Sequence, residues 1–313
     1  MTEPGQDLHI GLVGCGRWGR LILRDLKSLG CRVSAADPSD AGKQFARECG
    51  AEPVGSIEEL PRSIDGAIVA TPTVLHADSI DRLLPRGIPI FTEKALTADP
   101  VEARRLAAAA PDRIFVMDKW RYHPGIERLG AIAKSEELGP VRNLSTTRHS
   151  WGTVFDDIDA VRLLVPHDLS IVLEILGFIP DPVSAAAHEE DGEPLQVSAI
   201  LGKLPWVSLS VSARHPRNQR AVTLSCAGGT AMLEDGYASE IVIKRVVSGK
   251  PSAADPLEKC AVADEMPLLR ELRAFLGHLR GGPPPRSSVA EGARTVEVLD
   301  RICALAGLRA YGS

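Results

Sequence analysis

Gly14, Gly16 and Gly19 stand in the order G-x-G-x-x-G, and Asp37 follows 18 residues after the last of them. Residues of those types at that spacing can hold a dinucleotide. Gly14 allows a tight turn, Gly16 lets the backbone close on a pyrophosphate, and Gly19 lets a helix lie close to a strand. The free N–H groups and dipole at the start of that helix favour an anion. Arg17 and Trp18 complete the loop. A carboxylate at Asp37 meets the adenosine ribose hydroxyls and repels a 2′-phosphate, so NAD is expected over NADP. Two further ionisable pairs lie beside apolar runs: Glu93 and Lys94 in "TEKAL", and His167 and Asp168 in "LLVPHDLS".

The elements that must position these groups can be read in order. "LHIGLVG" is an apolar run ending in glycine, which predicts a buried parallel strand. "RLILRDLKSLG" predicts the helix after the glycine loop, with Gly30 as its stop. "CRVSAA", "GAIVAT", "IPIFT" and "RIFVMD" predict further strands, with helices over "VLHADSIDRLL" and "ADPVEARRLAAAA". Asp99 or Pro100 opens the latter. Alternation of this kind predicts a doubly wound parallel sheet of the Rossmann type, with ligands at the carboxyl ends of its strands. Thr71, Thr73 and His76 of "TPTVLH" fall at one such end, and Glu93 and Lys94 at another.

From about Lys119 the pattern changes. "VRNLSTTRHS", "PVSAAAH", "LQVSAILG", "WVSLSVSA", "AVTLSCAG", "TAMLED" and "EIVIKRV" read as successive strands, several of them alternating. "CAGGTAMLED" predicts a hairpin with a glycine turn. The expected fold is therefore α/β. An N-terminal Rossmann domain (1–118) precedes a C-terminal α+β domain (119–313) with a large, mostly antiparallel open sheet. Pro166, His167 and Asp168 look like a helix start, followed by a buried stripe at Leu169, Val172, Leu173 and Leu176. On that pattern His167 is either an acid/base or an ordinary histidine at a helix start.

Composition excludes several classes. With 44% hydrophobic and 25% charged residues, the 313-residue chain has the balance of a soluble globular protein. Aromatics at 4% disfavour a stacking surface for single strands, and a net charge of −5 leaves no basic footprint for nucleic acid. The polar start does not resemble a signal peptide, and no apolar stretch is long enough to span a bilayer. Six scattered cysteines predict a reducing cytoplasm, with no disulfide framework and no zinc site. His149, His188, His215 and His278 are expected on the surface or in loops, with no metal-ligand spacing among them.

"GLVGCGRWG", "ATPTVLH", "TEKAL" and "DKWRYHPGI", in this order and spacing, resemble the Gfo/Idh/MocA family of oxidoreductases. The resemblance covers nearly the whole chain. "PHDLSIVLEILG" and "HPRNQRAVTLSCAGGTAMLED" look most like the branch that oxidises nucleotide sugars at C3, and "DEMPLLRELRAFLGHLRGG" like the family's closing helix.

The resemblance implies an NAD-dependent oxidoreductase acting on a secondary alcohol or ketone of a sugar, a nucleotide-linked sugar or a polyol. It implies Lys94 beside the nicotinamide ribose and the reacting hydroxyl, and His167 as acid/base. A histidine, with an ordinary pKa of about 6.5, suits removal of a hydroxyl proton. A lysine suits the developing alkoxide. Glu93, Thr71, Thr73 and His76 are implied along the cofactor's path. Arg121, Tyr122 and Asp168 are implied at the substrate. A homo-oligomer through the C-terminal sheet is also implied, with no nucleic-acid or membrane partner.

Two positions depart from the branch, which has Trp-Asp where this chain has Arg162 and Leu163. Asp156, Asp157 or Asp159 takes over from the missing acid, the substrate needs no such contact, or catalysis is reduced. Arg162 meets an anionic substrate group or, slightly favoured, points to solvent. A non-catalytic NAD-binding regulator or scaffold on the same fold is the alternative function. A dehydrogenase for a small non-sugar carbonyl, such as an imine or tetrapyrrole, is a third.

Overall fold

The first apolar run forms β1 (His9–Val13), and all of its residues are buried. α1 (Arg17–Ser28), β2 (Arg32–Ala36), α2 (Asp40–Glu48), β3 (Glu52–Val54) and β4 (Gly66–Val69) follow. Then come α3 (His76–Leu83), β5 (Ile90–Glu93), α4 (Pro100–Ala109) and β6 (Ile114–Met117). The six strands are parallel, in the order β3-β2-β1-β4-β5-β6. Asp99 caps α4 by accepting from the Val101 N–H at 2.8 Å, with Pro100 as the first helical residue. β3 has no counterpart in the sequence reading, because three residues with Pro53 in the middle carry no legible alternation.

The register explains why polar groups collect at one edge of this sheet. Val13 lies level with Ala36 and Val69, Val69 with Thr92, and Glu93 with Met117. The residues that leave the strands there are Gly14, Asp37, Ala70 with Thr71, Lys94 and Asp118.

The computed structural model describes residues 5–152 and 158–309. They form two compact units, Met1–Lys119 with Leu268–Val296, and Trp120–Pro267 with Glu297–Ser313. This differs from a single division after residue 118. The chain crosses near that point, but α7 (Pro267–Leu279) returns to the first unit. Its buried Leu268, Leu272, Phe275 and Leu276 recur on one helical face and join the core of the Rossmann sheet. Phe275 stacks on Phe91 of β5 at 4.9 Å between ring centroids.

The second unit begins with α5 (Pro124–Ser135), β7 (Val141–Trp151) and α6 (Ala160–Leu176). Strands β8 (Pro182–Glu190), β9 (Glu193–Leu201), β10 (Trp206–Ser212), β11 (Arg214–Cys226), β12 (Gly229–Leu233), β13 (Glu240–Arg245) and β14 (Leu257–Ala261) follow. The last helix, α8 (Val289–Leu305), begins among residues of the first unit and ends in the second. The eight strands pair in the order β14-β13-β12-β11-β7-β10-β9-β8, antiparallel except for β7 with β10. Alternation puts Leu144, Val197, Leu209 and Val222 on one face, where they share a core with Ile126 and Leu129 of α5 and Val165 and Leu169 of α6. The expected hairpin turn is present, with Cys226 opposite Gly229.

Candidate functional site

In the first unit the glycine loop has the conformation its spacing predicts. Gly14 has φ +95°, a region that L side chains rarely adopt. Gly19 lies so close to the Gly14 carbonyl that a Cβ there would overlap it. Gly16 is the N-cap of α1, and a Cβ on it would meet nothing within 4 Å. The start of α1 therefore lies open to a group approaching its free N–H donors, as a pyrophosphate requires. Asp37 is buried at the end of β2. One carboxylate oxygen accepts from the Cys15 N–H at 2.6 Å, and the other from the Ser39 N–H at 2.9 Å. These bonds tie the acid to the glycine loop and fix where it points.

His76 is fully enclosed, with its ring nitrogens 2.8 Å from the Ala95 carbonyl oxygen and 2.9 Å from that of Thr71. Burial pushes its pKa down, so the neutral ring donates to one of the two carbonyls. It braces the turn of Thr71 and Thr73, both half-buried, against the loop that follows Lys94. The Lys94–Ala95 peptide in that loop is cis.

Glu93 links the two ends of the site. Its carboxylate accepts from the Trp18 indole N–H and from the Lys94 backbone N–H at 3.2 Å. Burial pushes its pKa up to about 7, against the pull of Lys94, Lys119 and Trp18. The Lys119 ammonium lies 4.4 Å over the Trp18 ring, a favourable cation–π contact. Arg17 is exposed in the first turn of α1. Every cofactor-side candidate thus falls on the carboxyl edge of the first sheet or on the helix and turns beside it.

In the second unit, α6 starts six residues before Pro166, which corrects the expected helix start. Asp159 is its N-cap, accepting from the Arg162 N–H at 2.9 Å, and Pro166 lies inside the helix. The sequence cue misleads because proline marks a first turn more often than an interior. Leu163 and His167 are one turn apart and half-buried, while Val161, Val165 and Leu169 are buried. Arg162 does not point to solvent. It is buried, pairs with Asp159 at 2.6 Å and also donates to the Arg309 carbonyl. Asp159 is thereby committed to a cap and an ion pair. Asp156 and Asp157 lie outside the described residues.

Asp168 is buried and accepts from Arg148 of β7 at 2.6 Å. The Arg148 guanidinium lies 4.6 Å over the Trp120 ring, and Trp120 stacks on His123 at 5.2 Å. His123 Nδ1 accepts from the Gly125 N–H, so its Nε2 carries the proton and donates to the Gly236 carbonyl at 2.8 Å. The carboxylate next to His167 thus belongs to a buried stack that pins α6 to the sheet. Removing one partner of a buried ion pair leaves the other uncompensated, at about 3–5 kcal/mol. Asp168→Ala is therefore expected to lower stability by that order, measured by denaturant unfolding. A change within about 0.5 kcal/mol, as surface substitutions give, would refute the assignment. Arg121 pairs with Glu174 at 3.0 Å, and Tyr122 is buried. His149 lies in β7 rather than in a loop, 2.9 Å from the Ser210 hydroxyl.

Residues 8–115 match the model of an oxidoreductase family with an NAD-binding Rossmann fold, Gfo/Idh/MocA. The match covers the Rossmann part of the chain. Its relatives include dTDP-3,4-didehydro-2,6-dideoxy-alpha-D-glucose 3-reductase of Actinomadura kijaniata, 29% identical over 45% of this chain and 45% of that one. Inositol 2-dehydrogenase of Pseudarthrobacter chlorophenolicus is 26% identical over 68% of this chain and 69% of the other. The match thus spans about half the length of the first curated relatives. The structure of UDP-N-acetylglucosamine 3-dehydrogenase from Acidithiobacillus ferrooxidans has the same fold. Its TM-score is 0.82 at 20% identity, over 95% of this chain and 97% of that one.

Three features of this chain escape the sequence reading: the Trp18–Glu93 link, the Arg148–Asp168 pair, and Glu271 of α7. Only Glu271 left a signal. It is a charged residue on the buried face of α7, three residues after Leu268 and four before Phe275. Among the described residues, no group of three or more His, Cys, Asp or Glu could hold a metal ion, and no helix is long and apolar enough to cross a membrane. All six cysteines are free thiols.

Proposed function

We propose that this protein is an NAD-dependent oxidoreductase that moves a hydride between the nicotinamide and a secondary alcohol or ketone of a sugar, a nucleotide-linked sugar or a polyol. The observation that carries this reading is the first unit's carboxyl edge. There the open glycine loop, the anchored Asp37 and the Glu93–Lys94 pair line up on adjacent strands. The cofactor supplies the hydride acceptor, and the chain supplies position, charge and proton transfer. Asp37 takes the ribose hydroxyls, and the Gly14–Gly19 loop with Arg17 and Trp18 takes the pyrophosphate side. Thr71, Thr73 and His76 shape the path beside it. Lys94 stabilises the oxygen as charge develops on it, and His167 removes or returns the hydroxyl proton. Arg121 and Tyr122 shape the substrate side, and Asp168 acts there by holding α6 in place.

NAD over NADP rests on Asp37, whose charge opposes a 2′-phosphate. The relatives' substrates support the sugar class, the free cysteines support a reducing cytoplasm, and the second unit's broad sheet supports a homo-oligomer. The test is cofactor reduction with NAD+ and NADP+ across nucleotide sugars, free sugars and inositols. Turnover with NAD+ should exceed that with NADP+ by at least about tenfold in kcat/KM, equivalent to ~1.4 kcal/mol. Equal use of both cofactors would remove the role of Asp37. Leu163 favours a second reading, a non-catalytic NAD-binding regulator. NAD+ binding without reduction by any member of the panel would establish it.

A further inference from the structure

α7 carries a carboxylate where its apolar stripe calls for a hydrocarbon. Glu271 is fully buried, and among the described residues neither carboxyl oxygen has a hydrogen-bond partner. A group like this is costly to bury, and its neighbours are not random. The charged groups around it are Glu93 at the end of β5, and Asp118 and Lys119 just past β6. Glu93 is the same residue that receives the Trp18 indole and the Lys94 backbone N–H. Helix α7 therefore delivers a second buried carboxyl to the strand edge that carries the proposed cofactor site.

The two carboxyls have unequal support. Glu93 has two N–H donors and lies near the ammonium groups of Lys94 and Lys119. Among the described residues Glu271 has no donor, and Lys119 offsets the acids around it. Two carboxyls in one dry site do not both ionise readily. The negative charge therefore settles on Glu93 and the proton on Glu271.

We propose that Glu271 is a positioning residue of the cofactor site, which shares one proton with Glu93 so that a single negative charge lies behind the Trp18–Lys94 link. It rests on the functional reading above and extends it to a residue remote in sequence. Glu271 acts through Glu93. Kept neutral, it leaves Glu93 free to hold Trp18 beside the glycine loop and the Lys94 backbone beside the reacting groups. Loss of its proton puts a second negative charge there and loosens both contacts.

Burial, then the charges of Glu93 and Asp118, pushes the Glu271 pKa well above the ordinary carboxyl range. Glu93 is pushed up to about 7. Both groups hold protons more tightly folded than unfolded, so stability falls as pH rises from the ordinary carboxyl range. The part due to Glu93 tapers off around pH 7 and is complete about one unit above it. The part due to Glu271 continues above it, at about tenfold in the folding equilibrium per pH unit for one proton. The buried thiols add a loss of their own as pH nears the unfolded cysteine value of about 8.5, but it is the same in both proteins and cancels between them.

The experiment compares wild type with Glu271→Gln, which keeps the shape and cannot ionise. Urea unfolding is read at steps from pH 7 to about 8, across which the Glu93 part dies away while that of Glu271 persists. NAD+ affinity is read by protein fluorescence over the same range. Wild type should lose stability and NAD+ affinity as pH rises, and Glu271→Gln should lose the greater part of both slopes. Equal slopes in the two proteins would overturn the proposal, as would a loss of affinity in Glu271→Gln that is the same at every pH. If Glu271→Gln does not fold, Glu93→Gln gives the answer. Without the Glu93 charge, Glu271 ionises more easily, so the stability loss ends at a lower pH than in wild type. An unmoved profile there rejects the coupling. The stability measurements need no cofactor. Absence of NAD+ binding by wild type counts against the functional reading, and the stability slopes then decide the proposal alone.

Discussion

Lys94→Ala is expected to lower kcat by about 10²–10³ while leaving NAD+ binding nearly intact. That is the size of effect seen when one preorganised group facing a developing oxyanion is removed. The structure makes the substitution selective. The bond from residue 94 to the Glu93 carboxylate uses the backbone N–H, which alanine retains. The Trp18–Glu93 bond, the Gly14–Gly19 loop and the bonds that hold Asp37 do not involve the Lys94 side chain. Steady-state kinetics on the best sugar, with an NAD+ titration of each protein, is the check. Undiminished turnover removes Lys94 from the chemistry. Lost NAD+ binding instead makes it a cofactor ligand.

His167→Ala should reduce kcat by about 10²–10⁴, the usual contribution of one well-placed general acid or base. It should cost little stability, since His167 is half-buried and the packed face of α6 is carried by Val161, Val165, Leu169 and Val172. Its neighbour Asp168 should behave in the opposite way, losing stability first, because it is enclosed with Arg148. Measuring turnover and urea unfolding for both variants separates the roles. If His167→Ala turns over as fast as wild type, the histidine is only a helix residue. If it unfolds as easily as Asp168→Ala, it belongs to the core.

Leu163 acquires a firmer context from the structure. It stands one turn before His167 on the same helix, so a carboxylate there would lie alongside the imidazole. Leucine cannot orient that ring or accept a bond from substrate. Asp159 does not replace it, being held by Arg162 and by the helix cap. The proposed reaction therefore rests on His167 and Lys94, and a low kcat in wild type is the expected mark of the missing acid.

The nucleotide-binding half was legible in the sequence because its signals are local. A glycine that must adopt positive φ, a glycine that must touch a carbonyl, and an acid at the end of the next strand are each encoded within a few residues. Parallel strands buried on both faces show as apolar runs, and the half-exposed strands of the second sheet show as alternation. The tertiary structure alone decided which charges are enclosed together. Arg148 and Asp168 are 20 residues apart, Trp18 and Glu93 are 75 apart, and Glu271 comes within the field of Glu93 only because α7 returns to the first unit. It also decided where α6 begins, since a proline inside a helix is tolerated when the helix is buried on a sheet. Local conformation follows from each residue's own backbone preferences. Burial and pairing of charge depend on what the rest of the chain brings alongside, which no short stretch can specify.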